Sequence, residues 1–83
     1  MVMEPMGMKQ QPRVVWDTSK VVADRDLRGW STHTLATRAG LSYKTVDRFL
    51  NGEVQTAKTA LKIATAMGYS IRRYFSHVEA VAS

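Results

Sequence analysis

The chain contains no cysteine. That excludes a disulfide scaffold, thiolate metal sites and cysteine nucleophiles, and it suits a cytoplasmic protein. Its two prolines, Pro5 and Pro12, both fall in the first twelve residues. No apolar run approaches the roughly 18 residues of a membrane span, and the first fifteen residues lack the apolar centre of a signal peptide. His33 and His77 stand apart, without the carboxylate spacing of a metal site. No elbow motif marks a serine nucleophile. Acidic residues are scarce: 7 Asp and Glu face 12 Lys and Arg, for a net charge of +5. What is present is ordinary for a globular domain, with 45% hydrophobic and 23% charged residues over 83 positions. A chain of this length holds one small core and little room for a deep catalytic cavity. A binding module is therefore favoured over an enzyme, and the basic balance points to an anionic partner. No cofactor and no small-molecule ligand are implied.

Residues 1–12 hold four of the five methionines and both prolines, with no helical or strand period. They read as a flexible arm ahead of a single domain over 13–83. Arg13 to Trp16 forms a short strand or an extended lead-in. Asp17, Thr18 and Ser19 are cap types opening a first helix to Arg28, with Gly29 beyond it. Its amphipathic pattern is weak: Val21, Val22 and Arg25 share a face, and Leu27 points elsewhere. Ser31 opens a second helix, Thr32 to Ala39, with Leu35, Ala36 and Ala39 on one face and Gly40 at its end. Ser42 caps a third, Tyr43 to Leu50, which Asn51-Gly52 closes. Thr56 caps a fourth, to about Met67, with Ala57, Ala60, Leu61, Ala64 and Met67 as its buried face. Ser70 caps a fifth, whose stripe is Ile71, Tyr74, Phe75, Val78 and Val81. The expectation is an all-α domain of five short helices.

Helices two and three carry the function. Two helices cross steeply only where their contact residues are small, and Ala36 is small. Gly40 takes the positive φ of a sharp reversal. Leu41 plugs the corner, and branched Val46 fills the angle between the helices. The unit is a helix-turn-helix. On a helical projection from Tyr43, Asp47, Asn51, Lys44 and Arg48 lie at roughly 40°, 80°, 100° and 140°. Leu50, Val46 and Phe49 lie at roughly 340°, 300° and 240°. One face is core, and the other bears side chains that hydrogen-bond base edges. Lys44 and Arg48 are like charges at i, i+4, a cost that a polyanion would relieve. Between Arg28 and Lys62 stand six basic and two acidic residues, so most of the excess charge lies here.

The run Leu35-Ala36-x-x-x-Gly40-Leu41-Ser42-x-x-x-Val46-x-x-Phe49-Leu50-Asn51-Gly52 resembles the lambda-repressor/Cro family of helix-turn-helix domains. The continuation Leu61-Lys62-Ile63-Ala64-x-Ala66-Met67-Gly68-Tyr69-Ser70 is similar to that family's fourth helix and the start of its fifth. The likeness spans roughly residues 16–76. It implies base reading in the DNA major groove by Tyr43, Lys44 and Arg48, with Ser42 and Asp47 beside them. It implies backbone contact or base clamping by Thr32 and phosphate contact by Thr45 and Lys58, and Thr32, His33 and Asn51 are counted with the phosphate contacts. Asp47 has three open readings: accepting from a cytosine amino group, repelling phosphates to sharpen register, or pairing with Lys44, which is favoured. One position departs. The family often has an acidic residue before the Asn-Gly, paired with an arginine of helix one. Here that position is Leu50, so Arg25 lacks its expected partner.

The resemblance implies a sequence-specific, double-stranded DNA-binding regulator, a small phage-type repressor or Cro-like protein without a second domain. Such a protein is expected in a bacterial or phage-infected cytoplasm, on DNA. The alternative is an antitoxin of the same fold whose working surface binds a toxin. A non-specific nucleoid binder is disfavoured by Asp47 in the reading face. Weak self-association, with two copies pairing on DNA, is expected. Phe75, Val78 and Val81 at the end of helix five are the candidate contact, and the arm or the Arg13–Trp16 segment pairing as a strand across the two-fold is the alternative.

Overall fold

The structure, a computed structural model, describes residues 12–53 and 55–80. The elements are β1 (Pro12–Trp16), α1 (Thr18–Leu27), α2 (Thr32–Ala39), α3 (Tyr43–Leu50), α4 (Ala57–Met67), a 3-10 turn over Ile71–Tyr74, and β2 (Phe75–Ala80). Residues 1–11 of the expected arm, and Val81, lie outside the described residues. Pro12, placed in the arm by sequence, heads β1.

The helix starts follow from side-chain oxygens that satisfy otherwise orphaned backbone donors. Asp17 Oδ1 accepts from the Lys20 N–H at 3.0 Å, and Ser31 Oγ from the Thr34 N–H at 3.1 Å. Ser42 Oγ accepts from the Thr45 N–H at 3.1 Å, and Thr56 Oγ1 from the Thr59 N–H at 3.2 Å. Each such cap contributes about 1 kcal/mol. At the other end, Gly40 closes α2 at φ 70°, a left-handed turn that a side chain would strain.

The core is Trp16, Val21, Leu35, Ala36, Val46, Phe49, Ala60, Ile63, Ala64, Met67 and Tyr74. Two expectations for the helices are corrected. In α1 the buried residues are Val21 and Asp24, not a Val21–Val22–Arg25 face. In α4 Leu61 is 52% exposed and Ala57 is exposed, whereas Ile63 is fully buried. The inward stripe runs Ala60, Ile63, Ala64, Met67, and Leu61 stands off its edge.

The larger correction concerns the fifth helix, which does not form. The fold is mainly helical but not all-α: the described residues form four α-helices and a two-stranded antiparallel sheet. The spacing of Ile71, Tyr74, Phe75 and Val78 mixes a 3-10 turn with a strand. β-branched Val14, Val15 and Val78 favour extended backbone. Pro12 pairs with Ala80, Arg13 with Glu79, Val14 with Val78, Val15 with His77 and Trp16 with Phe75, with an irregularity between Val15 and Trp16. Trp16 is buried and meets the Phe75 ring edge-on, centroids 6.3 Å apart.

One polar cluster joins α1 to the turn before β2. Asp24, only 2% exposed, accepts from Arg73 Nε at 2.7 Å, Arg73 Nη2 at 2.9 Å and the Tyr74 hydroxyl at 2.6 Å. The Arg73 hydrogen bonds outweigh burial and hold the Asp24 carboxyl down at about 2. Burial, then the bond to Asp24, raises the Tyr74 phenol. Arg28 adds a second tie, donating to the carbonyls of Asp24 and Met67.

A folded-state value below the roughly 3.9 of an unfolded aspartate stabilises the fold above that pH and loses the contribution as pH falls. Replacing Asp24 by Asn is expected to cost about 2 kcal/mol near neutrality. Urea melts across pH should show the gap to wild type shrinking between about pH 4 and pH 2. A gap independent of pH would show that the carboxylate charge is not the tie. In the core, Ala36→Leu should overpack the helix crossing and Val46→Ala should leave a cavity, each costing about 1–3 kcal/mol in the same melts.

Candidate nucleic-acid interface

Helices α2 and α3 meet around Ala36, Leu35, Val46 and Phe49, all buried. The Leu41 N–H bonds the Ala36 carbonyl at 2.9 Å, which tucks the turn beneath α2, and the half-buried Leu41 packs on the core. With Val46 and Phe49 turned inward, Tyr43, Lys44, Arg48 and Asn51 are exposed on the outward side of α3, and Thr45 and Asp47 are half-buried. The two faces projected from sequence are thus the two faces of the folded helix.

The candidate residues differ in how they are already engaged. Ser42 caps α3 and shares a hydrogen bond with the Thr45 hydroxyl at 2.8 Å. Tyr43 stacks on His33, centroids 4.2 Å apart and planes 17° apart, which joins the first turn of α2 to the first turn of α3. Asp47 Oδ2 accepts from Asn51 Nδ2 at 3.4 Å. The favoured pairing of Asp47 with Lys44 is absent among the described residues. Thr32 Oγ1 accepts from Arg25 Nη1 at 2.8 Å. Arg25 also pairs with Asp26 at 2.8 Å, so it finds partners although Leu50 offers none.

The ion pairs among the described residues are Arg13–Glu79, Arg25–Asp26, Arg73–Asp24 and His77–Glu79. Lys44, Arg48 and Lys58 take part in none of them. Lys58 is exposed in the first turn of α4, close in sequence to its N-terminal cap. Phe75 and Val78, the candidate dimer contacts, are 46% and 53% exposed, but on a strand rather than a helix.

Three features escaped the sequence reading. The Asp24 cluster had one available sign: an acidic residue three positions after Val21, on the face that must pack. The His33–Tyr43 stack requires knowing the crossing of α2 and α3. The third is an alternating series of cations and rings, with Arg38 over Trp30 at 4.6 Å, Arg28 over Trp30 at 5.6 Å and over Tyr69 at 5.3 Å, and Arg73 over Tyr69 at 4.1 Å. It covers the seam between the α1–α2 connection and the C-terminus of α4. Among the described residues no group of His, Asp and Glu could hold a metal ion, and no helix is long and apolar enough to cross a membrane.

A family model described as helix-turn-helix matches residues 23–74, which is 52 of the 83 positions. No curated protein and no solved structure matches the chain. The matched span takes in the second half of α1, the whole α2–turn–α3 unit, α4 and the 3-10 turn that completes the Asp24 cluster. The chain therefore belongs to the lambda-repressor/Cro type of the helix-turn-helix family, a DNA-binding domain of transcription regulators.

Proposed function

We propose that the protein is a sequence-specific repressor of the small phage or Cro-like kind, which sets α3 in the major groove and blocks promoters at its operator. The observation that supports this most is the pair Lys44 and Arg48. Both are exposed on the face of α3 opposite Val46, and neither is paired with a carboxylate among the described residues. Side chains left free in this way can meet base edges without first breaking an ion pair.

In this reading Arg48, Lys44 and Tyr43 read bases, with Asp47 and Ser42 beside them. The stack on His33 restricts the Tyr43 ring before DNA arrives, which lowers the ordering cost of a base contact. Thr32, His33, Thr45, Asn51 and Lys58 hold phosphates. Because Thr32 Oγ1 accepts from Arg25, its own proton remains to donate to a phosphate oxygen. Two copies on half-sites about 34 Å apart supply the footprint that one such domain lacks.

A footprint on DNA flanking the gene should show a protected palindrome overlapping a promoter. A co-purifying toxin encoded next door, with no protected operator, would favour the antitoxin reading instead. On the cognate site, Arg48→Ala should cost about 1–3 kcal/mol and relax preference at one base pair in a binding selection. Lys58→Ala should weaken binding evenly across sequences and lower the salt slope by about one. An unchanged selected motif for Arg48→Ala would remove that residue from the readers.

A further inference from the structure

We propose that the outer face of α2 is a clamp for a DNA backbone phosphate, built on Arg38 and set in place by Trp30. The clamp rests on the DNA-binding reading and deepens it, adding a contact outside α3 and outside the residues assigned above.

Helix α2 buries Leu35 and Ala36 and turns its other side outward. On that side His33 and Thr37 lie one turn apart, as do Thr34 and Arg38 in the neighbouring row. These four line a shallow cleft of about 370 Å³. Each brings a group able to donate a hydrogen bond, and none is a carboxylate. The local sequence has charge of one sign: Leu27 to Val46 contains no Asp or Glu, while Arg28, Arg38 and Lys44 fall within it. At one end of the cleft stands the His33 ring, stacked on Tyr43 at 4.2 Å. The cleft therefore continues the outward face of α3. When the second helix of such a unit enters the major groove, the first crosses the backbone beside it.

Arg38 is exposed, and among the described residues it enters no ion pair. Its guanidinium lies instead over the Trp30 ring at 4.6 Å. Side chains on a helix tilt toward its N-terminus, so Arg38 reaches back past Thr34 to the α1–α2 connection, where Trp30 stands. Trp30 is half-buried and packs on the core, which fixes the ring. Stacking on an indole occupies the flat face of a guanidinium and leaves the donors around its rim free. That rim is the fork that grips two oxygens of a phosphate. The other cation over this ring, Arg28 at 5.6 Å, already donates to the carbonyls of Asp24 and Met67. Arg28 is thus committed to the fold, and Arg38 is not. Held on the ring, a long side chain has less freedom to lose when DNA arrives, which reduces the cost of the contact. Thr37, exposed beside it, adds a hydroxyl donor.

The test uses duplexes bearing the selected operator, with one backbone phosphate at a time replaced by a neutral methylphosphonate. At one position the replacement should weaken wild-type binding about fivefold and leave Arg38→Met binding unchanged. Arg38→Met keeps an apolar stem against Trp30 but loses the charge. On the unmodified duplex it should bind about fivefold more weakly than wild type and lower the salt slope by about one, with the same selected base motif. Arg38→Lys, a cation without the planar fork, should keep the wild-type salt slope and recover only part of the affinity. A wild-type salt slope in Arg38→Met, or equal losses for both proteins at every replaced phosphate, would make Arg38 a packing partner of Trp30 and overturns the clamp. A changed base motif in Arg38→Met also overturns it, since a phosphate contact carries no sequence information. Inorganic phosphate titrated into the free protein, followed at the Arg38 Nε–H resonance, separates a DNA backbone from a free anion. No saturable shift is expected at millimolar phosphate, and a saturable one overturns the assignment to DNA. A wild-type protein without any sequence preference would count against the DNA-binding reading itself, whereas intact preference with no phosphate coupled to Arg38 would count against the clamp alone.

Discussion

A single carboxylate in the interior organises this domain. Asp24 is nearly inaccessible to water, and it binds groups 49 and 50 residues further along the chain, Arg73 and Tyr74. A buried charge is tolerable only when it is fully partnered. Here three donors surround it, and one of them, the Tyr74 phenol, belongs to a fully buried ring of the core. The same residue's carbonyl accepts from the Asp17 N–H at 2.7 Å, immediately ahead of α1. Helix α1, the 3-10 turn and the start of the sheet are thereby fixed to one another, and α2, α3 and α4 pack against that frame. The orientation of the recognition helix is in this sense set from behind.

Charge is divided accordingly. The arginines at the back, Arg28 and Arg73, spend their donors on carbonyls and on Asp24, and they stack on Trp30 and Tyr69. They contribute rigidity. Among the described residues, Lys44 and Arg48 on α3 make no such bonds and keep their charge available. The net charge of +5 therefore overstates the uniformity of the positive field. What matters for a polyanion is which cations have no internal work to do.

Much of this was legible in the residues. Ser31, Gly40, Ser42 and Thr56 marked helix limits through local chemistry that needs no tertiary knowledge, and each acts at the end where it was expected. Val46 and Phe49 against Lys44 and Arg48 gave a two-faced α3, because eight residues in one regular helix follow one projection. Legibility failed where distant segments decide. Phe75 to Ala80 fits a helical stripe about as well as a strand until Val14 and Val15 are known to lie alongside. Ile63 lost its core place to Leu61 in the sequence reading because an alanine-rich helix has several plausible apolar faces, and the neighbours choose among them. The Asp24 cluster was not legible because its partners, Arg73 and Tyr74, lie 49 and 50 residues further along the chain.

The sheet has a kinetic consequence. Val14 and Val78 are 64 positions apart (78 minus 14), so β1 has no partner until most of the chain exists. At synthesis rates of about 5–20 residues per second, β1 waits on the order of 3–13 seconds after it is made. The four helices between the strands have only short-range requirements and form in microseconds. The domain is then a fast helical assembly with a slow closing seam. During that interval Val14, Val15 and Trp16 are an uncovered apolar segment on a nascent chain. Any chain whose β2 arrives first from a neighbour on the same messenger would receive it in trans, so exchange of strands between copies is the misassembly to which this topology is most open.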